Sequence, residues 1–109
     1  QIAPAVTKAI AYIDENYMKQ PGLESISKAA GVSSQHLCRL FRQTLNCRPM
    51  EYITKRKIQA AKMLLAETQK TVDQIAEETG FCDSSYFCKI FKRFESITPS
   101  QFRSIEQAL

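Results

Sequence analysis

Two short stretches of this chain carry side chains that suit hydrogen bonding to the edges of nucleic-acid bases. In the first, Gln35, Arg39 and Arg42 follow at helical spacing, flanked by His36 and Gln43. In the second, Ser85, Lys89 and Lys92 do the same, flanked by Tyr86 and Arg93. At about 100° per residue each set falls on one helix face. The two faces correspond position by position: Gln35 with Ser85, Arg39 with Lys89, Arg42 with Lys92. Arg or Lys suits guanine in the major groove, and Gln suits adenine. Neither face carries an acidic residue. A solvated basic surface explains one such face as well as base reading does. Two matched faces favour duplex DNA.

The faces match because the chain repeats itself. Ile26 pairs with Ile75 and Gly31 with Gly80, 49 residues apart. Leu37 then pairs with Phe87, Phe41 with Phe91, Pro49 with Pro99 and Tyr52 with Phe102, 50 residues apart. A short helix, a glycine turn and a basic second helix, occurring twice, predict two helix-turn-helix units in one chain.

No segment alternates with period two for long enough to predict a strand, and helical spacing dominates. The first helix is expected over about Pro4–Met18, with Val6, Ile10, Ile13 and Tyr17 on its core stripe. The second covers Leu23–Ala30 and closes at Gly31, which takes the left-handed conformation at low cost. The third covers Ser34 to about Leu45 behind a Ser33 cap, with Leu37, Leu40, Phe41, Thr44 and Leu45 inward. The fourth starts at Pro49 and runs to about Glu67; Arg48 occupies its capping position. Thr71 and Gln74 form a capping box that opens the fifth, which closes at Gly80. The sixth runs from Ser84 to about Phe94 behind Asp83, with Phe87, Ile90, Phe91 and Phe94 inward. Thr98, Pro99 and Gln101 open the seventh. Small Ala29, Ala30 and Ala76 leave room for close helix packing, and Val32 and Phe81 should plug the core. The fourth helix, about 27 Å long at 1.5 Å per residue, could space two reading helices along one duplex. Its Ile53, Ala60, Ala61 and Leu64 are expected to hold it to both units.

The 109 residues suit one compact domain or two very small ones sharing a core. A net charge of +4 and a pI near 9.0 give a mild bias toward anionic partners. No apolar run approaches the roughly 20 residues of a membrane helix. Lys8, Asp14 and Glu15 break up the N-terminal segment, so it does not read as a signal peptide. Cys38, Cys47, Cys82 and Cys88 form no C-x-x-C pair, and His36 is the single histidine. Reduced thiols in the cytoplasm, no metal and no cofactor are expected.

Together these residues resemble the DNA-binding domain of the AraC/XylS family of bacterial transcription regulators. The likeness runs from about residue 5 to about residue 105. The second unit, IAEETGFCDSSYFCKIFKRFESITPSQFR, carries it most specifically, in I-A, G-F, S-Y-F, F-K-R-F and T-P-x-x-F-R. AAGVSSQHLCRLFR and EYITKRKIQAAKMLL support it in the first. The resemblance implies an all-α fold with residues 1–109 as one DNA-binding domain. Its seven helices form two helix-turn-helix subdomains, at about 23–45 and 72–94, joined by a long linker helix at about 49–67. It implies sequence-specific binding of double-stranded DNA, with two recognition helices reading adjacent major-groove segments. Family base-reading positions fall on Gln35, Cys38 and Arg39, and on Ser84, Ser85, Cys88 and Lys89. Ser34, His36, Arg42, Lys92 and Arg93 are expected to meet phosphates. Further domains that sense an effector or dimerise are implied elsewhere in a longer chain, and RNA polymerase is a compatible second partner. The chain departs from the family at Ser27, where alanine is usual, at Lys57, where arginine is usual, and at Asn46, where glycine is common.

Other classes fit less well. His36 and Cys38, two residues apart on a helix, do not face each other as a base and a nucleophile would, so no enzyme is expected. A protein-interaction module with a basic face is the nearer rival. RNA binding would call for a sheet or an aromatic platform.

Overall fold

The computed structural model of the protein describes residues 2–109. The described residues are all-helical, with seven α-helices and one 3-10 turn. These are α1 (Pro4–Asn16), the 3-10 turn (Tyr17–Lys19), α2 (Leu23–Ala30), α3 (Ser34–Leu45) and α4 (Pro49–Glu67). Then follow α5 (Val72–Glu78), α6 (Ser84–Glu95) and α7 (Pro99–Ala108). The chain forms two compact units, one ending at Thr54 and one from Lys55 to Leu109, so the division falls inside α4.

Local hydrogen bonding explains most helix starts. Ser33 accepts from the His36 N–H, and Asp83 from the Tyr86 N–H. Thr71 with Gln74 and Thr98 with Gln101 close reciprocal capping boxes. Arg48 lacks a capping side chain, and α4 starts by a different device. Glu51 Oε1 reaches back 3.0 Å to accept from the Arg48 N–H. Helix ends are set by left-handed residues: Gly31, Asn46 and Ser96 take positive φ as C-caps, and Gly80 does so just past Thr79. The first helix is shorter than expected. It tightens into the 3-10 turn at Tyr17, and Gln20 with φ 55° ends it.

In the first unit, Val6, Ala9, Ile13, Ile26, Ala30, Leu37, Phe41 and Ile53 form the core. Phe41 meets Tyr52 edge-on at 5.9 Å. In the second, Ile58, Ala61, Leu65, Ile75, Ala76, Phe81, Phe87, Ile90 and Phe91 form the core. Its aromatic rings run Phe81–Phe87–Phe91–Phe102 at 5.0, 5.8 and 5.6 Å. Truncating a buried phenylalanine such as Phe41 or Phe87 should cost about 3–5 kcal/mol.

Several expected core positions differ. Thr44 and Ala29 are exposed, and Phe94 is 38% exposed. Each lies at the rim of its helix stripe, where burial is incomplete. On α4, Ile58 and Leu65 are buried, whereas Ala60 and Leu64 are only partly so. The α4 stripe therefore matches that of α1: Val6 with Ile58, Ala9 with Ala61, Ile13 with Leu65, each 52 residues apart. Thus α4 is not only a connector. It is also the first helix of the second unit, with α5 and α6 packing on it as α2 and α3 pack on α1. α7 then satisfies the C-terminal end of α4. Arg103 donates to the carbonyls of Leu65 and Thr68 at 3.1 and 3.2 Å, and Gln107 donates to the same two at 3.0 Å.

Candidate nucleic-acid interface

α3 and α6 each turn an apolar stripe into their own unit and leave the opposite face in solvent. On α3 the buried residues are Leu37 and Phe41, and Gln35, Arg39, Arg42 and Gln43 are exposed. On α6 the buried residues are Phe87, Ile90 and Phe91, and Ser85, Tyr86, Lys89, Lys92 and Arg93 are exposed. The acidic residue that ends α6, Glu95, is drawn away by Lys62 at 3.1 Å. Each free face is therefore cationic, and the cations of the last turn, Arg42, Lys92 and Arg93, also sit favourably at the negative end of the helix dipole.

The remaining candidates lie at the edges of these faces. His36, Cys38, Ser84 and Cys88 are half-buried. Cys88 packs against the core of the second unit. Burial, helped by nearby Asp73, pushes its thiol pKa up, which keeps it neutral at ordinary pH. Cys38 and Cys88 are free thiols, as are Cys47 and Cys82, and Cys82 is the exposed one.

His36 and Arg39 form a pair. Arg39 Nη2 lies 3.1 Å from His36 Nδ1. A guanidinium only donates, so Nδ1 accepts and the ring proton sits on Nε2. That leaves an Nε2–H available to an outside acceptor and partly orients Arg39 on the open face. Sequence spacing placed both residues there but could not show that they touch.

Ser34 has a structural contact of its own. Its Oγ lies 3.0 Å from Ser27 Oγ, and Ser27 Oγ donates to the Glu24 carbonyl at 3.0 Å. Ser27 has one hydroxyl proton, so Ser34 must supply the other bond. The Ser34 hydroxyl is thereby committed to tying α3 to α2 and offers a phosphate only lone pairs. The backbone N–H of Ser34, in the first turn of α3, is the group suited to an anion.

Two further residues of the second unit acquire contacts that their sequence positions do not foretell. Tyr86, noted only as a flank, is 49% exposed, with its ring 6.2 Å from Phe81. Lys57 on α4 donates to the Gly80 carbonyl at 2.9 Å and lies 5.2 Å from the Phe81 ring centre. Helix periodicity carries no signal for a bond across 23 residues.

With this geometry in place, kinship decides the class. A model of a helix-turn-helix domain matches residues 26–105. A regulator from Chromobacterium violaceum described as having an AraC-type DNA-binding domain superposes with a TM-score of 0.90 at 29% identity, over 94% of this chain and 92% of that one. The chain belongs to the AraC-type helix-turn-helix family. As a member it is a DNA-binding domain of the kind used in transcription regulation. The lactose operon transcription activator of Staphylococcus xylosus is 31% identical over 90% of this AraC-type domain and 35% of its own length. The chain spans about a third of the length of the curated relatives that it matches. The DNA-binding domain of AdpA, determined in complex with a target DNA, shares the fold with a TM-score of 0.90 at 22% identity, over 97% of this chain and 96% of that one.

Proposed function

We propose that this AraC-type domain binds double-stranded DNA by laying α3 and α6 into adjacent major-groove segments. The observation that carries this reading is the pair of matched open faces, Gln35–Arg39–Arg42 and Ser85–Lys89–Lys92, each backed by a buried stripe on a unit of its own. The DNA complex of the AdpA domain supports it. In this reading Gln35, Cys38 and Arg39 read bases for the first unit, and Ser84, Ser85, Cys88 and Lys89 for the second. His36, Arg42, Lys92, Arg93 and the Ser34 N–H hold phosphates. Arg39 and Gln35 supply the strongest discrimination, through bidentate pairs to guanine and adenine. The second unit has short uncharged side chains at three of its four base positions, so anchoring forms a larger share of its work.

In this reading the domain acts by binding, in keeping with the transcription regulators that it is similar to. Its setting is the cytoplasm, where duplex DNA and reducing conditions coincide. RNA polymerase and effector-sensing or dimerising segments of a longer chain complete the regulator.

Selection of bound sequences from a random duplex pool, followed by titration across a salt series, tests this reading. Two conserved blocks of bases and a steep fall of affinity with salt are expected. A single block would remove α6 from base reading. Absence of salt-dependent duplex binding would remove the reading altogether.

A further inference from the structure

The two units hold their helix-turn-helix corners by different chemistry. In the first, the Ser27 and Ser34 hydroxyls bond across the corner and fix the start of α3 against α2. In the second, Ala76 stands where Ser27 would be, and no such bond can form. A cation from α4 serves instead. Lys57 Nζ donates to the Gly80 carbonyl at 2.9 Å and lies over the Phe81 ring at 5.2 Å. Phe81 in turn packs on Phe87 at 5.0 Å and on Tyr86 at 6.2 Å, both in the first turns of α6. Matching the α1 and α4 core stripes gives Lys57 the counterpart Ala5, which only packs a methyl group on the first core. Each unit therefore has one lock that the other lacks.

We propose that Lys57 is the positioning residue for the reading helix of the second unit, clamping the Gly80–Phe81 corner from which α6 departs. This rests on the reading of α6 as a DNA-reading helix. The clamp spans three elements. Its donor is on α4, its acceptor is the left-handed Gly80 after α5, and its aromatic platform leads directly into α6. Burial lowers the Lys57 pKa against a smaller opposing pull from nearby Cys82, so this half-buried place disfavours the charge that the clamp uses. A side chain kept at that cost is spent on geometry: base pairing by Lys89 and Ser85 depends on where α6 begins.

The test compares Lys57→Met, Lys57→Gln, Lys57→Arg and Ser27→Ala in the same protein. In the DNA-free protein, Lys57→Met should shift the backbone amide resonances of Ser84–Lys89 and speed their hydrogen exchange, leaving those of α3 in place. Ser27→Ala should do the reverse. On a selected duplex, Lys57→Met should lower the penalty for wrong bases in the α6 segment by about fivefold or more, the lower end of what one base contact contributes. The penalties in the α3 segment should not move. Lys57→Arg, which keeps the charge and the donors, should restore both readouts. If Lys57→Met does not fold, Lys57→Gln, which keeps a donor for Gly80 but no charge, takes its place. Unmoved α6 amides overturn the clamp, whatever the DNA result. Equal loss in both segments overturns it too, because that marks general destabilisation. Moved amides in a protein that binds no duplex would keep the clamp and remove the DNA reading.

Discussion

Arg39 concentrates the chemistry of the first unit. It is exposed, lies opposite the buried Leu37–Phe41 stripe and is steered by His36. Arg39→Ala should cost about 1–3 kcal/mol on the preferred duplex and relax the choice at one base pair. Equal weakening on every sequence, measured by titration at fixed salt, would assign Arg39 to the backbone instead. The thiols separate by environment. Cys82 is exposed, whereas Cys88 is half-buried with a raised pKa. Timed alkylation at about pH 8, followed by mass spectrometry, should modify Cys82 well before Cys88, because the thiolate is the reacting form. Comparable rates would contradict the burial of Cys88. The same shift has a sign in stability. The unfolded Cys88 loses its proton first, so its contribution is whole below the ordinary thiol value of 9.0 and is lost as pH rises through the folded value. Lys57 works in the opposite sense. Its folded pKa lies below 10.5, so the cost of burying its charge is relieved as pH rises through the folded value towards 10.5.

At the scale of elements, the two reading helices end alike and under strain. Asn46 and Ser96, 50 residues apart, are both left-handed C-caps, with φ of 55° and 70°; their N–H groups donate to the Arg42 and Lys92 carbonyls. Asparagine tolerates this conformation better than serine does. Ser96→Gly should therefore stabilise the protein by about 0.5–1 kcal/mol: relief of roughly 1–2 kcal/mol of left-handed strain, offset in part by the freer unfolded chain. Asn46→Gly should gain less. Urea denaturation of the two variants checks both size and order, and a loss of stability in Ser96→Gly would show that the serine side chain contributes something the strain argument omits.

For the molecule as a whole, the consequence of two reading helices on one chain is geometric. If α3 and α6 engage adjacent segments together, adding about 5 base pairs between those segments moves the second by half a helical turn to the far side of the duplex. Affinity should then fall toward that of one unit alone. Titration on the native-spaced and shifted duplexes at one salt concentration decides the matter. Equal affinities would exclude rigid two-headed binding while leaving single-unit binding intact. On the proposed assignment the expected loss is modest, since Ser84, Ser85 and Cys88 would give the second unit few strong base contacts.

What could be read from the chain without coordinates was what hydrogen bonds and periodicity decide within a few residues. The capping boxes at Thr71 and Thr98 and the caps at Ser33 and Asp83 bind partners three positions away, and Pro49 suits a first helical position by its own fixed φ, so residue types and spacing suffice. The basic faces of α3 and α6 were legible for the same reason, and the repeat made them convincing. Burial at the rims was not: Thr44, Ala29 and Phe94 suit packed positions but stay exposed, because exposure at the edge of a stripe depends on how neighbouring elements are placed. Nor could the pattern show that α4 opens the second unit, since Ile58 and Leu65 match Val6 and Ile13 only once the cores are seen. The Ser27–Ser34 bond, the Lys57 clamp on Gly80 and the capping of α4 by Arg103 and Gln107 join residues 7, 23 and up to 42 positions apart. Such pairs meet because whole helices pack in one particular way, and packing is settled by the summed fit of many side chains, which no local window of sequence contains.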